Sequence, residues 1–300
     1  FPGNWESSII DLGDIPEGNT QEDTYYAVAK IVSELIKKQI LPIIIGGSQD
    51  LTYAMYRGYD QLDQMVNLVA IDSKFDFGKE EVLNTSESFL SKIIINEPTN
   101  LFNYSNVGFQ TYFNSQEEID LIEKLYFDCF RLGEVSASPA IAEPVFRDCD
   151  LVSLDLTAVK SSDSGNFNIF TPNGFNGEES CTLMQYAGMS WKTSTIGLFG
   201  YQAELDVNNM TAIQIAQMFW YIMDGVQKGK KEAPLTESDR FKEFHIAFSD
   251  IETNFLQSKS TGRWWMQMHN NEWAPCSYKD YLVASNNEIP ERWLRALERE

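Results

Sequence analysis

The chain has 300 residues, with 23 lysines and arginines against 44 aspartates and glutamates, a formal charge of −21, and only two histidines. Such acidity repels phosphate backbones and anionic headgroups, which argues against nucleic acid and membrane surfaces as partners, while 43% apolar residues suffice for a full core and exclude a disordered acidic tail. Two imidazoles also leave metal binding and proton shuttling short of their commonest side chain.

From Gln21 to Lys38 the apolar residues Tyr25, Val28, Val32, Leu35 and Ile36 follow helical spacing, so a helix is expected. It runs into Ile40, Leu41, Pro42, Ile43, Ile44 and Ile45, a continuous apolar stretch stopped by Gly46 and Gly47, which reads as a strand buried on both faces. Further strands are expected at Asn67–Asp72, Lys92–Ile95, Asn106–Gln110, Leu151–Leu156, Thr195–Phe199 and His245–Phe248, with helices at Ser180–Met189 and Thr211–Gln227. Strands alternating with helices over the whole length imply one doubly wound α/β domain spanning 1–300.

The breaker-rich stretch from Gln227 to Arg240 reads as a surface loop. Lys160–Gly177, around Phe167 and Phe170, reads as a long loop after a buried strand, where parallel sheets bind ligands. Residues 261–300 hold Trp264, Trp265, Trp273 and Trp293, an aromatic-rich element expected to pack on the domain, with a partner-docking surface as the sharper alternative. Cys129, Cys149, Cys181 and Cys276 lack close paired spacing and read as free thiols of a reducing compartment, hence a cytoplasmic protein. No apolar run approaches the about 20 residues needed to span a bilayer, so no membrane insertion is expected. The opening at Phe1 without a methionine reads as a fragment or a renumbered chain, with a removed signal peptide as the other reading.

Three strand ends carry acids: Asp50 after Gly46–Gly47–Ser48–Gln49, the pair Asp72 and Asp76, and Asp155. Carboxylates at the carboxyl ends of neighbouring parallel strands converge on one crevice, as a hard or borderline dication requires. Each alone could equally cap a helix or open a turn. No P-loop, G-x-G-x-x-G or G-x-S-x-G occurs. His245 reads as a strand residue, His269 as a surface loop residue, and Glu178 with Glu179 as helix-start carboxylates.

The order GGSQDLTYA, AIDSKFDF, LVSLDLTAV and PNGFNGEES resembles the arginase, agmatinase and formiminoglutamase superfamily, the ureohydrolases. The resemblance covers residues 40–206 and implies a three-layer α/β/α fold on a mainly parallel sheet, with a first strand missing upstream of Phe1. It also implies a two-manganese centre activating a bridging water. Against the family's G-G-D-H-S, this chain has Gln49 for the metal-binding His. Against D-A-H-x-D it keeps Asp72 and Asp76 but places Lys74 at the His, and against S-x-D-x-D it keeps Asp155 but has Thr157 for the second Asp. Half of the ligand positions are therefore changed. Gly200 stands where the family pairs a Glu with the substrate's cation, and no histidine is placed to shuttle protons.

Three carboxylates robbed of their dications would repel one another in low dielectric, so the ammonium of Lys74 is expected to take the place of the metals. The resulting reading is a pseudoenzyme, a catalytically degenerate ureohydrolase-fold protein that binds or assembles, with a protein partner or homo-oligomer and no cofactor. Two alternatives stay open: an active C–N hydrolase of formiminoglutamase or arginase type using manganese or magnesium on Asp72, Asp76 and Asp155, and a small-molecule sensor using the old crevice.

Overall fold

The computed structural model describes residues 3, 5–78, 85–165, 171–249 and 251–299. Helix α1 (Gln21–Lys37) begins at a capping box in which Thr20 and Asp23 satisfy each other's backbone amides, and leads to β1 (Ile43–Ile45). Then come α2 (Leu51–Arg57), β2 (Val66–Ile71), α3 (Phe89–Ile95), β3 (Leu101–Phe109), α4 (Gln116–Lys124) and β4 (Asp128–Arg131). The second half runs α5 (Leu132–Ala137), α6 (Glu143–Arg147), β5 (Leu151–Asp155), α7 (Ser161–Ser164), α8 (Gly177–Met189), β6 (Thr195–Phe199) and α9 (Met210–Gly229).

Strands β1 to β6 form one parallel sheet in the order β1-β6-β5-β2-β3-β4. The alternation of a pleated strand sorts β2 cleanly: Leu68 and Ala70 join a core with Tyr25, Tyr53, Phe89 and Ile122, whereas Val69 and Ile71 join a core with Val135, Phe146, Leu183 and Met218. Helices α1 to α4 thus cover one face and α5, α6, α8 and α9 the other, the three-layer α/β/α arrangement expected. Helices α8 and α9 lie so close that a Cβ on Gly188 would stand 2.2 Å from the Ile222 carbonyl oxygen. Among the described residues no helix is long and apolar enough to cross a membrane.

Three expectations are corrected. Residues 92–95 belong to helix α3, because the buried side chains Phe89, Leu90 and Ile93 fall on one helical face and tertiary packing overrides the β-propensity of three isoleucines. Strand β1 lies at the described edge of its sheet, with Ile45 48% exposed, and is not buried on both faces. The strand–helix alternation stops after α9: β7 (Phe241–Phe248), β8 (Ile251–Ser258), β9 (Trp264–Gln267) and β10 (Trp273–Cys276) form an antiparallel sheet in the order β10-β9-β8-β7. Short loops between these strands leave no room for crossover helices. Helices α10 (Tyr278–Ser285) and α11 (Glu291–Arg299) complete the chain, and Trp264, Met266 and Trp293 form a separate core with Phe248 and Phe255.

Candidate functional site

Register alone brings the acids together. Ile71 of β2 pairs with Leu154 of β5, so the next residues, Asp72 and Asp155, emerge side by side at the carboxyl ends of two central strands. On the far side Asp155 pairs with Phe199, which puts Gly200 beside it; a Cβ there would lie 3.3 Å from the Asp155 Oδ1. Gly200 also has φ +85°, a conformation costly for other residues.

The turn after β2 carries Asp76 into the same place. Asp76 itself is left-handed, at φ +58°. Asn114 braces this turn, accepting from the Phe75 amide at 2.8 Å and donating to the Ser73 carbonyl at 3.1 Å, while Asn106 donates to the Lys74 carbonyl at 2.7 Å. These supports were not singled out from the sequence; the signal available was an asparagine at the centre of a buried strand, Asn106, 0% exposed.

Asp72, Asp76 and Asp155 are all buried. Asp72 accepts from the Lys74 amide at 2.9 Å and Asp155 from the Thr157 amide at 2.7 Å. Burial first, and then the Asp155 charge, push the Asp72 carboxyl up to about 7. Burial, then Asp72 and Asp155, hold Asp76 well above the usual carboxylate range, and burial also raises Asp155. Burial and like charge at close quarters thus raise the Asp72 and Asp76 carboxyls together. The second Asp76 oxygen, Oδ2, is buried with no hydrogen-bond partner among the described residues.

Gln49, 1% exposed, lies beside this group: Nε2 donates to the Ser153 hydroxyl at 3.3 Å, and its amide is among the influences that lower the Asp72 carboxyl against its burial. Thr157 offers its backbone amide and hydroxyl to Asp155. Lys74 does not occupy the centre as expected. Its ammonium pairs with Glu87, and its side chain is 39% exposed. Burial opposes its charge, but Glu87 first, then Asp76 and Asp72, hold its pKa above the ordinary value, so it reaches the carboxylates by its field alone. A free ammonium keeps more hydration beside an exposed glutamate than inside a closed crevice.

The remaining candidates lie elsewhere. Asp50 turns away from the crevice, accepting hydrogen bonds from Tyr25 and Ser48 and from Gln21 at 3.1 Å. His245 is exposed on β7 with its ring against Asn254, His269 sits in an exposed turn, and Glu179 completes a capping box with Asn176 at the start of α8. Phe167 and Phe170 of the expected ligand loop lie outside the described residues. The flanks of that loop do shape a cavity of about 330 Å³, lined by Asp163, Asn176, Glu178, Cys181, Gln217 and Tyr221, which does not include the three buried aspartates.

Comparison with known proteins gives a consistent neighbourhood. The model of the arginase family matches residues 4–225, ending before the antiparallel sheet begins. A formimidoylglutamase of Lysinibacillus sphaericus is 21% identical over 229 residues, covering 72% of this chain and 70% of that protein. A formimidoylglutamase of Macrococcus caseolyticus is 22% identical over 222 residues, covering 71% and 70%. Among solved structures, Trypanosoma cruzi formiminoglutamase with Mn2+ superposes with a TM-score of 0.64 at 16% identity over 70% of this chain and 73% of that one. Arginase from Bacillus subtilis does so at 0.64 and 18% identity, over 73% and 85%.

Proposed function

The chain belongs to the arginase family, and from that premise we propose that it is a catalytically degenerate member whose role is binding or assembly in the cytoplasm, without a resident metal centre. One observation carries the reading. At the position aligned by motif with a metal-binding histidine, Gln49 uses its amide nitrogen on the Ser153 hydroxyl, 3.3 Å away. A carboxamide nitrogen carries no free lone pair for a cation, unlike an imidazole.

The rest of the donor set agrees. Two dications need several anionic ligands at once, whereas Gln49 and Thr157 are neutral and Lys74 adds a positive charge at the mouth. Gly200 offers no carboxylate to a cationic substrate. We therefore derive no metal-borne step.

Hydrolysis is the discriminating assay. Purified protein supplied with manganese is expected to leave formiminoglutamate, arginine and agmatine unchanged beyond the rate of a D72N/D155N variant. Turnover of any of the three that this variant abolishes would establish the hydrolase of formiminoglutamase or arginase type instead. Pull-down of a stoichiometric partner, or a stable homo-oligomer in solution, is the positive outcome the reading expects.

A further inference from the structure

Helix α4 ends in a turn whose geometry is unfavourable for its sequence. The Tyr126 amide donates to the Glu123 carbonyl at 3.0 Å and the Phe127 amide to the Ile122 carbonyl at 3.1 Å, the two bonds of a Schellman motif. The residue that must be left-handed in such a motif is normally glycine; here it is Tyr126, at φ +55° and 41% exposed. A side chain in that conformation costs roughly 1–2 kcal/mol, and the ring is too exposed for its own packing to offset this. The turn delivers the chain directly into β4.

What holds the turn comes from about 170 residues away in sequence. Arg299 of α11 donates to the Tyr126 carbonyl at 2.8 Å and to the Asp128 carboxylate at 3.1 Å; Arg295, one turn earlier, donates to the Phe127 carbonyl at 2.6 Å. Cations at these carbonyls also meet the negative end of the α4 dipole. On another face of α11, Trp293 is buried against Phe248 of the antiparallel sheet, with ring centroids 5.8 Å apart, and donates to the Gln267 carbonyl at 3.3 Å. One short helix therefore grips both sheets.

We propose that α11 is a strap that locks the α4–β4 turn: its arginines hold Tyr126 in the left-handed conformation, and its Trp293 anchor makes that lock depend on the antiparallel sheet. The antiparallel unit thereby controls the order of an edge strand of the arginase-like sheet.

Hydrogen exchange on the full chain tests this. In R295A/R299A, protection of the amides at 127–131 should fall about tenfold or more, because a hydrogen bond to a charged group is worth at least a decade in an equilibrium constant. Adding Tyr126→Gly should restore much of that protection by removing the strain, and Trp293→Ala alone should lower it. Unchanged protection in R295A/R299A would overturn the proposal. Protection lost but not restored by Y126G would also overturn it, since the arginines would then act on general stability rather than on the turn. If R295A/R299A fails to fold, R295K/R299K, which keeps the charge but loses the guanidinium fork, provides the same comparison with Y126G.

Discussion

Two clusters of buried charge in this molecule are built on opposite rules. At the seam between the sheets, Arg147, Glu143, Arg263 and Glu232 alternate in sign. Arg147 meets Glu143 at 3.0 Å, Glu143 meets Arg263 at 3.0 Å, and Arg263 faces Glu232 at 3.9 Å. Arg147 spends further donors on the Trp264 and Cys276 carbonyls, at 2.8 and 2.7 Å, and stacks over the Trp265 ring. At the carboxyl ends of β2 and β5, by contrast, Asp72, Asp76 and Asp155 are buried with like charge, which raises all three carboxyls above their usual range. The first arrangement pairs opposite charges within the chain and serves architecture, although Glu143 Oε1, Arg147 Nε and Arg263 Nη2 make no hydrogen bond among the described residues. The second leaves its like charges unopposed by a cation within hydrogen-bonding reach among the described residues, and on the proposed reading it is the remnant of a metal site.

Breaking the alternating cluster should have the largest effect. Arg147→Met leaves two buried carbonyls without their partner and Glu143 with Arg263 alone, and should cost about 3–5 kcal/mol of unfolding free energy in urea titration. A loss below about 1 kcal/mol would mean the seam does not depend on it.

Rebuilding the other cluster comes next. The triple variant Q49H/K74H/T157D supplies the ligand types the family motifs imply. Manganese at a hundredfold excess over its dissociation constant should stabilise that variant by about 2.7 kcal/mol, while leaving the unaltered protein where it was. Equal responses from both would erase the contrast.

A pH series gives a smaller effect with a definite sign. The Asp72 carboxyl is raised to about 7 in the fold, so between the unfolded pKa near 4 and 7 the native state holds the extra proton. Its contribution to stability is full below about pH 4 and is lost as pH rises through 7. Asp72→Asn removes that penalty and should stabilise the protein at pH 8, with the gain fading toward pH 4. A gain independent of pH would separate the effect from the carboxyl.

Least sensitive is the Lys74–Glu87 pair, whose side chains are 39% and 68% exposed. Glu87→Gln should change stability by less than about 1 kcal/mol, and 1 M salt should hide even that. A larger loss would show that the mouth of the crevice is held by this bridge.

How much of this was legible in the sequence follows from the physics of each element. The strand 195–199 and helices α8 and α9 are plain because fully buried strands read as unbroken apolar runs and long helices repeat their period. Helix α3 was hidden because seven residues are too few to show that period against three consecutive isoleucines. The antiparallel sheet was hidden because its core is made of tryptophans spaced by turns, with partial alternation in β7. Of the site, Asp72 and Asp155 follow from their places at strand ends. The direction of Lys74 does not, since it is set by Glu87, which arrives from the start of α3. Nor does Asp50, which satisfies its charge with α1.

The most direct test of the proposal that this chain has no resident metal centre at Asp72, Asp76 and Asp155 is the metal content of the full chain. Protein produced with excess manganese and dialysed at pH 8 should retain far less than one ion per chain by mass spectrometry. Retention of about two, the stoichiometry of a binuclear hydrolytic site, would contradict the account.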